Sequence, residues 1–368
     1  MNNKLFFRLD WLSILLYVLL VSFGLVNIYS SSFSETPIAF WNTDYLVGKQ
    51  FWIFIACLIS LPIILAVKSS FLEHLTYVFY GLSILSLIGL FVFGKTISGA
   101  TSWYFIGGLS LQPSEFAKIT TAMIVALNLS SIQNDIKKIT HLLKIILLIT
   151  LPMILIILQP DAGSALVFMG MFFVLIREGL DLRFLFSAMG LLLIFILTLL
   201  YSPSYVSLAM AFIVFTIYWL FKKKYPKTKK NPFILILITG IVFSLSVSFI
   251  FNSIFEQRHR DRFNIILGLE TDTKGIGYNI NQSKIAIGSG GFSGKGFLNG
   301  SQTQGNFVPE QETDYIFSII GEEWGFIGST ALILLFTTFI LRIIYRAERL
   351  TSSYARIFSY AFASILFV

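Results

Sequence analysis

Between Gly277 and Phe326 the chain reads GYNINQSKIAIGSGGFSGKGFLNGSQTQGNFVPEQETDYIFSIIGEEWGF, and Asp314 stands where this polar, glycine-rich stretch gives way to apolar sequence. A carboxylate in hydrogen-bond reach of a hydroxyl can take its proton. Carboxylate oxygens also suit hard cations, and Asp314 with Glu310 or Glu312 could hold Mg²⁺ or Mn²⁺. Capping is the ordinary role of an aspartate at a helix start. Gln282, Ser283, Lys284, Gln302 and Gln304 nevertheless supply more polar groups nearby in sequence than a cap needs. If one long helix runs from Asp314, then Glu322 and Glu323 lie about 12 Å deeper along it. Each would cost about 2.5 to 3.5 kcal/mol near a bilayer centre, so at least one must face a polar interior or be protonated, and a wet cavity is expected beneath Asp314.

Other groups could serve the same chemistry. In Gln112-Pro113-Ser114-Glu115-Phe116-Ala117-Lys118 the proline suits a first helical turn and Glu115 complements the helix dipole. Lys118 is within i,i+3 pairing distance of Glu115, and ionisable groups in an apolar span usually face a cavity and serve a pathway or substrate. Gln159-Pro160-Asp161 breaks one apolar run and opens another, with Asp161 placed to cap the second helix. Arg258, His259, Arg260 and Arg262, with Asp261 among them, offer paired guanidinium donors to a phosphate or a juxtamembrane cluster for anionic lipid. The run from Gly288 to Gly296 fails the P-loop pattern, with Ser289 for the first glycine and Gly296 for the Ser or Thr, so no nucleotide is expected. Its glycines suit an ordered loop draped closely over a ligand or headgroup. His74, His141 and His259 are scattered without zinc-type spacing.

The elements that must position these groups are membrane helices. With 56% hydrophobic and only 12% charged residues among 368, the chain is no soluble globular domain. Apolar runs predict spans near 11–31, 47–67, 75–94, 114–132, 141–159, 162–178, 183–201, 204–221, 233–251, 314–342 and from 353 onward, an all-α polytopic protein of about 10 or 11 crossings. The net charge of +8 sits at helix ends rather than in a basic aromatic patch, so nucleic acid is not an expected partner. Cys57 alone gives no disulfide framework. Lys4 and Arg8 before a long apolar run mimic a secretory signal, but the run reads as a first span. Lysines and arginines gather at alternate breaks: Lys68; Lys137 and Lys138; Arg177 and Arg183; Lys222 to Lys230; Arg342, Arg346 and Arg349. That bias places the N-terminus in the cytoplasm and the loop 252–313 outside. Ser353 to Val368 is short for a crossing and reads as a final helix cut at 368.

Together the motifs QPSEFAK (112–118), QPDAG (159–163), QSKIAIGSGGFSGKGFLNGSQTQ (282–304) and FVPEQETDYIFSIIGEEWGF (307–326) resemble those of the SEDS (shape, elongation, division and sporulation) family, with the Lys284 to Gly291 wording closest to its RodA branch. The resemblance runs nearly end to end. It implies a multi-pass enzyme of the bacterial cytoplasmic (inner) membrane that polymerises lipid II into glycan strands during cell elongation. Asp314 then corresponds to the family's essential outer-face aspartate, a general base, and Glu115 with Lys118 to its charged pair. Lys118, Arg258, Arg262, Lys284 or a divalent cation would stabilise the pyrophosphate-lipid leaving group; Gln282, Ser283, Gln302 and Glu310 complete the substrate-binding set. A class B penicillin-binding protein, a transpeptidase, is the implied partner.

Three departures from the family pattern stand out. Thr101 and Ser102 precede Trp103 where a basic residue is usual, three spans within 183–251 replace one, implying an inserted hairpin, and the closing PLPxxSYGGS-type motif is missing. Two other activities suit a polar cavity in a bundle: lipid II flipping, or scaffolding of the crosslinking enzyme.

Overall fold

The computed structural model describes residues 9–33, 39–97, 99–106, 109–131, 136–227, 229–254, 257, 260, 264, 267, 269 and 276–368. Long apolar stretches become helices, two of them with an interior proline (Pro62 and Pro152), since a spanning backbone must satisfy its own hydrogen bonds. Eight of them, among the described residues, are long and apolar enough to cross a membrane. The chain divides into two compact units, Met1–Leu180 with Ile285–Val368, and Asp181–Lys284.

The first unit contains α1 (Trp11–Ser32), α2 (Leu46–Ala66) and α3 (Ser69–Phe93), then α4 (Pro113–Ser130) and α5 (Ile139–Ile157). It continues with α6 (Ala162–Val167), a 3₁₀ turn (Phe168–Gly170) and α7 (Met171–Arg177). Past the second unit come α12 (Ser301–Gln304), α13 (Ile316–Glu323), α14 (Gly325–Ala347) and α15 (Ser353–Phe367). At its centre lies α4, packed on α3, α5, α6 and α15. Small side chains allow this close approach: Ala117, Ala122, Ala126 and Thr121 are fully buried along it. The expected span at 114–132 is thus the core helix of the unit, which is why it is less apolar than its lipid-facing neighbours.

Two other expected spans are interrupted. The run 162–178 is α6 and α7 joined by the 3₁₀ turn, and the run 314–342 breaks at Trp324, with Gly325, the first residue of α14, at φ +63. The break between α3 and α4 forms a small antiparallel sheet, β1 (Lys95–Ile97), β2 (Ala100–Ile106) and β3 (Leu109–Leu111), in the order β1-β2-β3. Thr, Ile, Trp, Tyr and Phe favour that pleated surface, and Gly99 at φ +86 closes the first hairpin. Its register pairs Lys95 with Trp103 and Tyr104 with Leu111.

Ion pairs gather the helix ends at one side of this unit. Asp10 meets Arg342 at 2.7 Å and Arg346 at 3.3 Å, Arg177 meets Glu348 at 2.7 Å, and Glu178 lies 3.9 Å from Arg356. The Arg342 guanidinium holds the Asp10 carboxyl below its usual range, and Arg177 does the same for Glu348.

The second unit holds α8 (Leu182–Leu200), α9 (Pro203–Lys224) and α10 (Asn231–Phe249), a π-type turn (Ile250–Ile254), and the start of α11 (Ile276–Ser289). Asp181 caps α8 by accepting from the Arg183 amide at 2.9 Å. Inside the triplet, Thr198 on α8 and Ser244 on α10 are hydrogen-bonded at 2.9 Å, and Gly240 leaves room for the Met210 side chain.

Candidate functional site

The break between α13 and α14 is wrapped by the glycine-rich loop after α11. The Lys295 amide donates to the Glu322 carbonyl and the Gly296 amide to the Glu323 carbonyl, each at 3.0 Å. In return the Phe326 amide donates to the Gly291 carbonyl at 3.0 Å. Backbone on backbone at this separation leaves no room for side chains. A Cβ at Gly290 would strike the Gly321 and Glu322 carbonyls, and one at Gly294, whose φ is +79, the Glu323 carbonyl. The loop is closely draped, as expected, and the backbone it lies against is the chain's own broken helix.

Glu322 is the anchor of this arrangement and is completely buried. Its Oε1 accepts from Lys295 Nζ at 2.7 Å and the Gln302 amide at 2.9 Å, and its Oε2 from the Thr303 amide and hydroxyl, both at 2.8 Å. Ser30 of α1 donates to Glu323. Further ties run from α1: Asn27 Oδ1 accepts from Trp324 Nε1 at 3.1 Å, Ser32 donates to Glu312 at 3.2 Å, and the Ser30 carbonyl accepts from Gln304 at 3.3 Å. A buried ionised group requires such pairing. Protein donors fill both oxygens of Glu322, and Ser30 meets one oxygen of Glu323. Gln302 contributes its amide to the same anchor.

Asp314 lies outside that network. It sits in a turn before α13 rather than at its cap, a place taken by Tyr315. The Glu310 carbonyl gathers this turn by accepting from the amides of Thr313, Asp314 and Tyr315 at 3.1 to 3.2 Å, with Glu310 itself at φ +53. The Asp314 side chain is exposed, and among the described residues no hydrogen bond or ion pair engages its carboxylate. Glu310, Glu312 and Asp314 are close neighbours in sequence, yet no group of three His, Cys, Asp or Glu side chains converges among the described residues, and Glu312 is occupied by Ser32.

Glu115 and Lys118 form the expected i,i+3 pair at 2.7 Å in the first turns of α4, with Glu115 more than half exposed and Lys118 largely covered. Beside them the two proline motifs meet. Gln112 donates to Asp161 at 3.1 Å, and Asp161 caps α6 by accepting from the Ser164 amide at 3.0 Å. Gln159 donates to the Leu87 carbonyl at 2.8 Å while its own carbonyl accepts from Thr101 at 3.1 Å, tying β2 to the same corner. A shallow groove of about 250 Å³ runs along α3 and α4 past Phe116 and Thr120. The α4 pair and the Asp314 turn stand on different elements: α4 packs on α3, α5, α6 and α15, and α13 on α14, α1 and α12.

Gln282, Ser283 and Lys284 belong to the part of α11 in the second unit, with Lys284 exposed. Arg258 and Arg262, with His259 and Asp261, lie outside the described residues; Arg260 donates to the Asn252 carbonyl at 2.9 Å. The residues that sequence reading passed over are Ser30, Asn27 and Lys295. The paired glutamates within an apolar run were the signal that buried partners had to exist, but nothing in the sequence named them.

Known proteins share this arrangement of helices. The FtsW/RodA/SpoVE family profile, described as cell cycle protein, matches residues 10–216 and 207–368. Peptidoglycan glycosyltransferase RodA of Treponema pallidum is 31% identical over 359 residues, covering 90% of this chain and 81% of that protein. Peptidoglycan glycosyltransferase MrdB of Escherichia coli K12 is 32% identical over 292 residues, 78% of this chain; the match spans 64% of its length, just under two thirds. Among solved structures, a chain from a peptidoglycan synthase complex superposes with TM-score 0.66 at 24% identity, covering 97% of this chain and 84% of that one. The rod shape determining protein RodA of Thermus thermophilus gives 0.58 at 22%, covering 97% and 81%. Those two likenesses are of fold. With the profile matching along almost its whole length and a relative above 30% identity, the chain belongs to the FtsW/RodA/SpoVE family of cell cycle proteins.

Proposed function

We propose that this protein is a peptidoglycan glycosyltransferase that polymerises lipid II during cell elongation, with Asp314 as general base. The relatives named peptidoglycan glycosyltransferase support the activity. The observation that carries the residue assignment is the contrast in carboxylates: Glu322 and Asp161 are taken up by protein donors and Glu323 is buried against Ser30, whereas Asp314 is exposed and, among the described residues, unengaged.

In this reading Asp314 accepts the proton of the acceptor sugar hydroxyl as that oxygen attacks the anomeric carbon of a lipid-linked disaccharide. The bond from that carbon to the pyrophosphate oxygen breaks, and the lipid pyrophosphate leaves with the electron pair. Its growing negative charge calls for fixed cations, a role assigned to Lys118, Lys284, Arg258 and Arg262. Gln282, Ser283, Gln302 and Glu310 would hold the sugars, and Glu115 would orient Lys118 through the 2.7 Å pair. Of these, Gln302 already spends its amide on Glu322 and would bind through its side chain.

The ion pairs that join the start of α1 to the end of α14, and the end of α14 to that of α7, support a common side for all three, as the basic residues at those breaks require. That side is the cytoplasmic one of the inner membrane, with Asp314 and the glycine-rich loop at the outer face. The likeness to a chain of a complex described as coordinating polymerization with crosslinking supports a class B penicillin-binding protein as partner. The test is polymerisation of purified lipid II by the reconstituted protein with and without Asp314→Asn. Loss of about 10² or more in rate with unchanged folding is expected; full activity of the variant would exclude Asp314 as the base.

A further inference from the structure

The second unit carries a charge cluster that the glycan chemistry does not use. Lys222, Lys223 and Lys224 end α9, and Lys227, Lys229 and Lys230 occupy the short turn to α10; all six are exposed. No Asp or Glu occurs from Leu182 to Phe255, so the sequence brings no counter-charge to them. Among the described residues none of the six stands in an ion pair. Six like charges within nine residues repel one another.

The turn is nonetheless pinned. Phe233 at the start of α10 packs against Tyr218 at 5.3 Å and Phe221 at 6.1 Å, which clamps the end of α9 to the start of α10. Three of the lysines lie over rings at the same level: Lys222 over Tyr218, Lys223 over Trp219 and Lys224 over Tyr225, each at 5.6 Å. Both flanking helices are long and apolar enough to span a bilayer. Tyrosine, tryptophan and lysine at the end of a span is the composition of the headgroup layer.

We propose that the α9–α10 turn is a binding site for anionic phospholipid headgroups, whose phosphates supply the missing counter-charge. Each lysine beside an anionic surface favours it about fivefold. Acidic protein segments and nucleic acids would need to approach within the headgroup layer, where the lipid phosphates already stand. The site is independent of the lipid II chemistry and belongs to the three-helix unit.

Trp219 provides a local probe. The full-length protein is placed in vesicles of dibrominated phosphatidylglycerol or dibrominated phosphatidylcholine, and Trp219 emission is isolated as the difference between wild type and Trp219→Phe. The anionic lipid is expected to quench it at least ~3-fold more strongly at 0.1 M salt, and the preference should shrink at 1 M. Replacing all six lysines with glutamine should abolish it and replacement with arginine should keep it. If the glutamine variant does not fold, the salt series on the wild type decides. Equal quenching by the two lipids, a preference insensitive to salt, or one surviving in a folded glutamine variant would overturn the proposal. So would an acidic oligonucleotide binding to the wild type in vesicles that show no lipid preference.

Discussion

Asp314 and Glu322 are carboxylates only two helical turns apart in sequence, and the chain treats them in opposite ways. Glu322 is buried and saturated by Lys295, Thr303 and the Gln302 amide, so it fixes a loop to a broken helix. Asp314 is exposed, in a turn that is held by backbone rather than by its side chain. A carboxylate whose lone pairs are all occupied is a strut; one left open beside a rigid frame is available for proton transfer. The difference separates stability from chemistry at neighbouring positions.

The sharpest way to break the comparison is to neutralise each member. Asp314→Asn should lower lipid II polymerisation by ~10² or more while leaving the thermal unfolding temperature in detergent unchanged. Glu322→Ala should do the reverse first, destabilising the protein by about 3–5 kcal/mol because Lys295 and the amides lose their buried partner. A Glu322→Ala protein as stable as wild type would show that Glu322 is no strut. Next comes Gly294→Ala, where φ +79 and the Glu323 carbonyl leave no room for a methyl group: a loss of about 1–3 kcal/mol is expected, seen as earlier proteolysis of the loop. Lys118→Met should change stability by less than about 1 kcal/mol, since its partner Glu115 is mostly exposed, yet reduce kcat/KM.

The smallest effect concerns pH. The Asp10 carboxyl is held below its ordinary value of 3.8 chiefly by the Arg342 guanidinium. A group with a depressed folded pKa adds stability that is complete above its unfolded value and is lost as pH falls through the folded one. Acid-induced loss of stability below pH 4 should therefore be partly removed in Asp10→Asn, measured by unfolding across pH 3 to 6.

Sequence by itself determined the class of this protein and most of its helices. Composition, run length and the requirement that spanning backbone satisfy itself leave few alternatives. It also set the i,i+3 pair of Glu115 with Lys118 and the Asp161 cap, because both depend on residues within one turn. Tertiary structure alone decided which helix is the core, where the last long runs break, and what neutralises the buried glutamates. Ser30 and Glu323 are 293 positions apart, and no local pattern could pair them. The small sheet at 95–111 was hidden because short apolar runs read alike as strand or helix. The interruption at Trp324 was hidden for a related reason: Gly325 is inconspicuous in an apolar sequence until the Gly290–Gly294 backbone is laid against it. Hydrophobic period and length are local quantities, whereas burial of a charge is satisfied by whatever the fold brings near.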